Sequence, residues 1–220
     1  MKDGMRHGQG QQLWPDGAKY EGEWRNNQAN GKGKFWHADG DIYEGEWKDD
    51  KANGYGVYIH TNGARYEGNW KNDLQDGFGI ETWADGSRYE GEYKEGTKHG
   101  KGKYVWNDGS RYDGYWFENK INGRGVYEWP DGRRYEGEWQ DNNMHGKGVY
   151  TWIDGRKYEG EYFNDRKHGF GAYTWADGRQ YIGQWVNGKQ HGEGKYKQAG
   201  TNSFKKGVWE DGKRVKWIDE

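Results

Sequence analysis

A chain of 220 residues that takes only 22 of them from Leu, Ile, Val and Phe cannot build an ordinary aliphatic core; its apolar mass is carried by 15 Trp and 18 Tyr. The 34 basic residues nearly cancel the 36 acidic ones, which argues against disorder and against phosphate-driven nucleic-acid binding. The absence of cysteine excludes disulfides and thiolate metal sites and suits a reducing compartment.

The first ten residues, MKDGMRHGQG, contain no apolar stretch of the kind a secretory signal needs. Residues 1–19 read as a partial repeat entered midway, as in a piece of a longer array or a natural edge. From Tyr20 one pattern returns every 23 residues, as YEGEW at 20–24 and 43–47, YEGNW at 66–70 and YEGEY at 89–93. It continues as YDGYW at 112–116, YEGEW at 135–139, YEGEY at 158–162 and YIGQW at 181–185. Residues 20–203 are therefore expected to form eight tandem units, and 204–220 a divergent closing strand pair, as terminal repeats of arrays often are.

One period, residues 100–122, shows the expected structure. Gly100, Gly102, Tyr104 and Trp106 alternate with Lys101, Lys103 and Val105, a strand pattern. Asn107-Asp108-Gly109 reads as a hairpin turn. Tyr112, Gly114 and Trp116 then alternate with Arg111, Asp113 and Tyr115 on a second strand. Residues 117–122 read as a longer connection. The fold class is thus all-β: an elongated, single-layer, twisted antiparallel sheet of tandem 23-residue hairpins.

Parity places the rings and glycines on one face and the charges on the other. Glycine within a strand costs about 0.5–1 kcal/mol relative to Ala. Its recurrence implies that a ring from a neighbouring strand lies over bare backbone, with Gly114 as the example. The residue before each Gly-x-Gly (His7, Asn30, Asn53, Asp76, His99, Asn122, His145, His168 and His191) is of a type that tolerates left-handed backbone. These histidines, with His37 and His60 in the Trp column, read as turn and packing residues rather than metal ligands.

YEGEW, a polar loop and then HGKGKYVWNDGSR resemble the MORN (membrane occupation and recognition nexus) repeat, over about residues 1–197. The resemblance implies a twisted single-layer sheet acting as a scaffold or partner-binding module, in cytoskeletal, ciliary or membrane-junction assemblies. Some members attach to enzymes such as phosphatidylinositol phosphate kinases; no such domain is found in this chain. A regulatory fragment of a larger enzyme is an alternative reading.

Chemistry is sparse. There are three serines, and no nucleophile elbow, phosphate loop or calcium-loop spacing. The glutamate pairs copied in register, such as Glu21 and Glu23, read as a solvated face paired with lysines. No cofactor, metal or catalytic residue is expected. A basic column (Arg65, Arg88, Arg111, Arg134, Lys157) makes acidic phospholipid a weaker alternative partner, because acids stand two residues away on the same face.

Protein partners are the main expectation, taken as a helix, an extended segment, another repeat array or a second copy. The polar face is interrupted by apolar residues at Ile42, Tyr55, Val57, Ile59, Phe78 and Ile80, the candidate contact patch; Phe163, Phe170, Ala172 and Ile182 form a smaller one. The competing candidate is an aromatic groove of Tyr89, Tyr104, Trp106, Tyr112, Trp116, Tyr127, Trp129, Tyr135 and Trp139. The expected location is cytoplasmic, with the resemblance adding a cytoskeletal or ciliary setting.

Overall fold

A computed structural model describes residues 1–218. Among them there is no helix, and 19 strands follow the 23-residue period. The chain divides into two compact units. Unit 1 runs from Met1 to Asn107 and includes the turn Phe117–Asn119; unit 2 holds Asp108–Trp116 and everything from Lys120 onward.

Unit 1 is a meander of β1 (Gly8–Leu13), β2 (Lys19–Arg25), β3 (Gln28–Trp36), β4 (Ile42–Lys48), β5 (Lys51–Ile59), β6 (Arg65–Lys71), β7 (Leu74–Thr82), β8 (Arg88–Lys94) and β9 (Thr97–Val105). Each strand pairs antiparallel with the next. Unit 2 repeats the plan with β10 (Arg111–Phe117, to Trp116), β11 (Lys120–Glu128), β12 (Arg134–Gln140), β13 (Asn143–Thr151), β14 (Lys157–Phe163), β15 (Arg166–Thr174), β16 (Gln180–Val186), β17 (Lys189–Lys197), β18 (Lys205–Glu210) and β19 (Lys213–Trp217). Its strands from β11 onward also pair antiparallel in sequence order. Within the expected closing segment 204–220, β18 pairs onto β17 and β19 onto β18; Trp209 packs beside Tyr181 at 4.9 Å and Trp217 beside Trp209 at 6.2 Å. The last two residues, Asp219 and Glu220, lie outside the described residues.

Among the described residues neither unit has a second layer, so the core is one face of each sheet. Its centre is the Tyr of each Tyr-x-Gly strand. In unit 2, Tyr135 is 0% exposed and stands edge-on between Trp139 (5.1 Å) and Tyr162 (5.3 Å), both nearly perpendicular to it. Edge-to-face pairs of this kind add about 0.5–1.5 kcal/mol each beyond the area they bury. The Tyr135 hydroxyl donates to the Glu138 carbonyl at 2.9 Å, and Trp139 Nε1 donates to Gly125 O at 3.3 Å. Both rings thus bury their polar atoms satisfied.

The three strand glycines of a repeat do three jobs. A Cβ on Gly148 would meet Tyr135 Oη at 2.3 Å and its ring carbons at 2.4 Å, so this is the slot a ring occupies. Gly137, its cross-strand partner, faces backbone instead: a Cβ would lie 2.5 Å from Gly148 Cα and from Lys147 O. The expectation for Gly114 is corrected in the same way, since its Cβ would meet Gly125 Cα at 2.4 Å and Arg124 O and the Tyr112 hydroxyl at 2.6 Å, while the Tyr112 ring carbons lie over Gly125. Gly146 is needed for conformation, at φ 85°. There Glu138 alone spans His145, Gly146 and Lys147, between the pairs Gly137–Gly148 and Trp139–Met144. This is a β-bulge.

Two further expectations are corrected. The left-handed residue is the glycine after the His/Asn/Asp column, not the column itself. The column residues instead accept from the neighbouring turn: Asn30 Oδ1 from Asp49 N (3.2 Å) and Asp76 Oδ2 from Glu95 N (3.1 Å). And the connection read at 117–122 is the two-residue turn Glu118–Asn119, both at positive φ (46° and 67°), with β11 starting at Lys120. Turns of this hand match the twist of the paired strands. The second turn residue clamps the preceding repeat. Asp165 Oδ1 accepts from Met144 N at 2.7 Å, while Asp165 N donates to Met144 O at 3.0 Å.

The second glutamate of YEGEW is structural. Glu92 Oε2 accepts from Lys101 N and Glu161 Oε2 from Phe170 N, each at 2.6 Å; Glu138 does the same for Lys147 N and Glu46 for Tyr55 N. These are the amides just past the bulge glycine, which no strand partner takes up. Glu138→Ala is expected to lower stability by about 1 kcal/mol, a charged hydrogen bond discounted for partial exposure. Glu136→Ala, on the same strand, should change little; equal urea midpoints for the two variants would refute the cap.

Candidate functional site

In unit 1 the face away from the tyrosines carries the apolar residues singled out in the sequence. Tyr55 and Phe78 are each 50% exposed and Ile59 is 43%, while Ile42, Val57 and Ile80 are half-buried. Alternation along β5 and β7 places them there, opposite Tyr43 and Tyr66. They do not form one continuous surface. Val57 of β5 lies between Glu44 of β4 and Glu67 of β6, and Ile80 of β7 between Glu67 and Glu90 of β8. Ile42 and Ile59 are direct cross-strand partners and close one end. The result is two apolar ridges with an acidic strand between them.

The acids on this face are already engaged. Arg65 Nη1 holds Glu67 at 2.6 Å and Arg88 Nη1 holds Glu90 at 2.7 Å. The Tyr55 hydroxyl donates to Glu67, which lowers the pKa of that carboxyl and raises that of the phenol. Charge is also thinned where the column turns aromatic. Lys32 faces Glu46, Arg124 faces Glu138 and Lys147 faces Glu161, but Tyr55 faces Asn69 and Phe170 faces Gln184. Phe78 keeps an acid, Glu92. In unit 2, Phe170 and the pair Ala172–Ile182 share this face, while Phe163 sits apart at the strand end against His145 and His168.

The aromatic positions divide by burial. In unit 1, Tyr89 is buried and Tyr104 and Trp106 are half-buried. In unit 2, Tyr112, Trp116, Tyr135 and Trp139 are buried within the ring ladder, and Tyr127 and Trp129 are half-buried. What remains accessible is therefore a second row of rings, not the Tyr column. Burial pushes the Tyr135 phenol well above its ordinary value, with Glu138 adding to the effect.

Two lysines escaped the reading of the sequence. Lys98 and Lys167 occupy the column of Ala29, Ala52 and Met144, on the aromatic face. Each stands across from a Tyr where other repeats have Trp: Tyr93–Lys98 and Tyr162–Lys167, against Trp24–Ala29 and Trp139–Met144. The lysine stem fills the volume that a smaller ring leaves. That exchange between columns was the available signal. Desolvation lowers the pKa of both amines.

The outer face of unit 1 has a depression of about 900 Å³ lined by Glu21, Glu23, Lys32, Lys34, Glu44 and Glu46, charges that alternate and pair, as at Lys34–Glu44 (3.3 Å). Among the described residues, no cluster of His, Asp and Glu is placed to hold a metal ion, and no helix is long and apolar enough to cross a membrane. His60 is committed to Asp41 at 3.1 Å, beside Tyr58, which donates to the same carboxylate.

No curated protein matches the chain closely enough to count as a relative. Among solved structures it is similar to the TCP10 domain of CPAP from Danio rerio, at TM-score 0.50 and 12% identity, over 96% of this chain and 99% of that one. A CPAP G-box domain follows at TM-score 0.47 and 13% identity, over 80% and 92%. The TCP domain of SAS-4 from Drosophila melanogaster, solved with a proline-rich motif of Ana2, gives TM-score 0.41 and 14% identity, over 71% and 85%. At these identities the likeness is one of fold alone. The MORN repeat family matches nine times, at residues 1–19, 20–42, 43–65, 66–88, 89–111, 112–133, 135–155, 158–178 and 181–200. With those matches running through strand after strand of the same hairpin, the chain belongs to the MORN repeat family.

Proposed function

We propose that this chain is a non-enzymatic scaffold that holds another protein on the outer face of unit 1, through Ile42, Tyr55, Val57, Ile59, Phe78 and Ile80. The observation that carries the reading is the half-exposure of Tyr55 and Phe78 beside Ile59, on a face whose charges are paired in place. Large apolar groups clustered on an otherwise charged surface mark contact sites. The family supports a binding role, and a cytoplasmic, cytoskeletal or ciliary setting is the one we favour.

Acidic phospholipid is the weaker alternative. The bases that would attract headgroups already have partners: Arg65–Glu67, Arg88–Glu90, Arg134–Glu136 and Lys157–Glu159 lie 2.6 to 3.0 Å apart. Sedimentation with anionic vesicles should show no salt-sensitive binding.

Changing Val57 and Ile80 together to Lys tests the protein reading. Lys34 and Lys103 hold the corresponding positions in other repeats, so the circular dichroism spectrum and melting temperature should be retained. Recovery of the partner should fall by about 2 kcal/mol of affinity or more if the ridges form a hot spot. Undiminished recovery by the folded double variant would refute the site.

A further inference from the structure

The second row of rings in unit 2 is continuous. Trp129, Tyr150, Trp152, Tyr173, Trp175 and Tyr196 follow one another at centroid distances of 5.2, 4.3, 5.9, 4.8 and 6.3 Å. The three Trp are each half-buried, one per repeat. Arg133, Arg156 and Arg179 lie 5.0 to 5.2 Å from those Trp centroids. Each of these guanidiniums is neutralised by the Asp of its own turn at 2.7 to 2.8 Å.

Lys167, on the same face, has no such acid. Lys167 Nζ lies 5.2 to 5.6 Å from four rings, Trp152, Tyr158, Tyr173 and Trp185. Among the described residues no carboxylate is within ion-pair distance of it. Unit 1 offers the comparison. Lys98 occupies the same column and feels the charge of Glu81, which accepts from the Tyr93 hydroxyl at 2.6 Å and partly offsets the desolvation that lowers the Lys98 pKa. Three repeats later the position of Glu81 is taken by Tyr150, and the acid is missing.

Spacing defines what would lie along the row. Two strands per repeat, about 4.8 Å apart, set successive Trp about 9.6 Å apart. A polyproline II helix advances about 9.3 Å in one turn of three residues. A segment in that conformation, lying across the strands, keeps one edge in phase with Trp129, Trp152 and Trp175. An α-helix returns the same face at about 10.5 Å and an extended strand at about 6.7 Å, each further from this spacing. Rows of exposed aromatic rings are the surfaces that take proline-rich ligands.

We propose that the Trp129–Trp152–Trp175 row binds a proline-rich segment in the polyproline II conformation, which brings an acidic side chain to Lys167. This rests on the reading that the chain binds protein segments, and adds a second surface with a defined occupant.

The probe is a labelled twelve-residue peptide, Pro-Pro-Glu repeated four times, titrated with the full chain and read by fluorescence anisotropy. The controls replace Glu by Gln, replace Glu by Lys, or replace the prolines by Gly and Ser. The Glu peptide is expected to bind saturably and about tenfold more tightly than the Gln peptide, the worth of one charge-assisted contact. Lys167→Met should erase that preference; Met144 holds the same column in β13, so the fold accommodates it. Trp152→His, the residue found at His37 and His60, should weaken both peptides. Three results would overturn the proposal: no saturable binding of the Glu peptide, equal binding of the Gly/Ser peptide, or binding unchanged by both variants. A chain that ignores every peptide while Val57 and Ile80 still govern recovery of its protein partner overturns this inference and leaves the proposed function standing.

Discussion

Gly148→Val is expected to lower stability by about 3 kcal/mol. Its side chain would enter the space of the Tyr135 ring, with the first carbon already within 2.4 Å of it. Tyr135 cannot retreat, because Trp139 and Tyr162 stand at 5.1 and 5.3 Å on either side. The control is Gly155→Ala. A Cβ at Gly155 meets nothing within 4 Å, yet φ is 93°, so only backbone strain of about 1–2 kcal/mol applies. Urea unfolding of both variants separates packing from conformation. If Gly148→Val melts at the wild-type midpoint, the ring ladder does not hold the strands together.

High pH should unfold the protein cooperatively. Tyr20 and Tyr181 are pushed up to about 12, Tyr181 by burial alone and Tyr20 by burial with Glu23 and Asp50 adding to it. Burial drives Tyr43, Tyr66, Tyr89, Tyr112, Tyr135 and Tyr158 in the same direction. In the unfolded chain these phenols ionise near 10, as in model peptides. The fold favours the neutral form, so their contribution is complete below pH 10. It is lost as pH rises from 10 through the folded values, at no more than about 1.4 kcal/mol per pH unit for each tyrosine. Tyrosinate absorbance from the ladder should therefore appear together with loss of the far-ultraviolet dichroism. Ionisation of the whole tyrosine set near pH 10 with an unchanged dichroism spectrum would contradict the burial.

The period, the strand pairs, the two faces and the ring over glycine were legible because each depends on parity and spacing alone. Which glycine takes the ring was not. Gly114 and Gly125 have the same parity and differ only in which one lies under the neighbouring Tyr112. The turn at Glu118–Asn119 lacks the Asn-Gly signal of its type, because non-glycine residues adopt positive φ there. Asn119 is held by contacts to Lys98, 21 residues back, where its Oδ1 accepts from Lys98 N at 2.9 Å. The bulge hides the start of β11, since alternation fails across Asn122–Arg124 and the residues before it look like loop. The glutamates looked like a solvated face because a carboxylate capping a bulge amide leaves no trace in composition. Of the candidate site, the outer ridges of unit 1 were visible as apolar letters in charged columns. The cage around Lys167 was not, because it depends on rings from β14, β15, β16 and the turn after β13 converging on one amine.

The proposed contact surface is the pair of apolar ridges of unit 1, in columns that carry charge in other repeats. Phe78 and Arg124 occupy that one column, in β7 and β11, so they differ in chemistry and not in register. A photoreactive phenylalanine analogue placed at each position in turn, followed by irradiation in the native assembly, tests this most directly. A cross-link to a partner protein is expected from position 78 and none from position 124. A cross-link from 124 with none from 78 would contradict it.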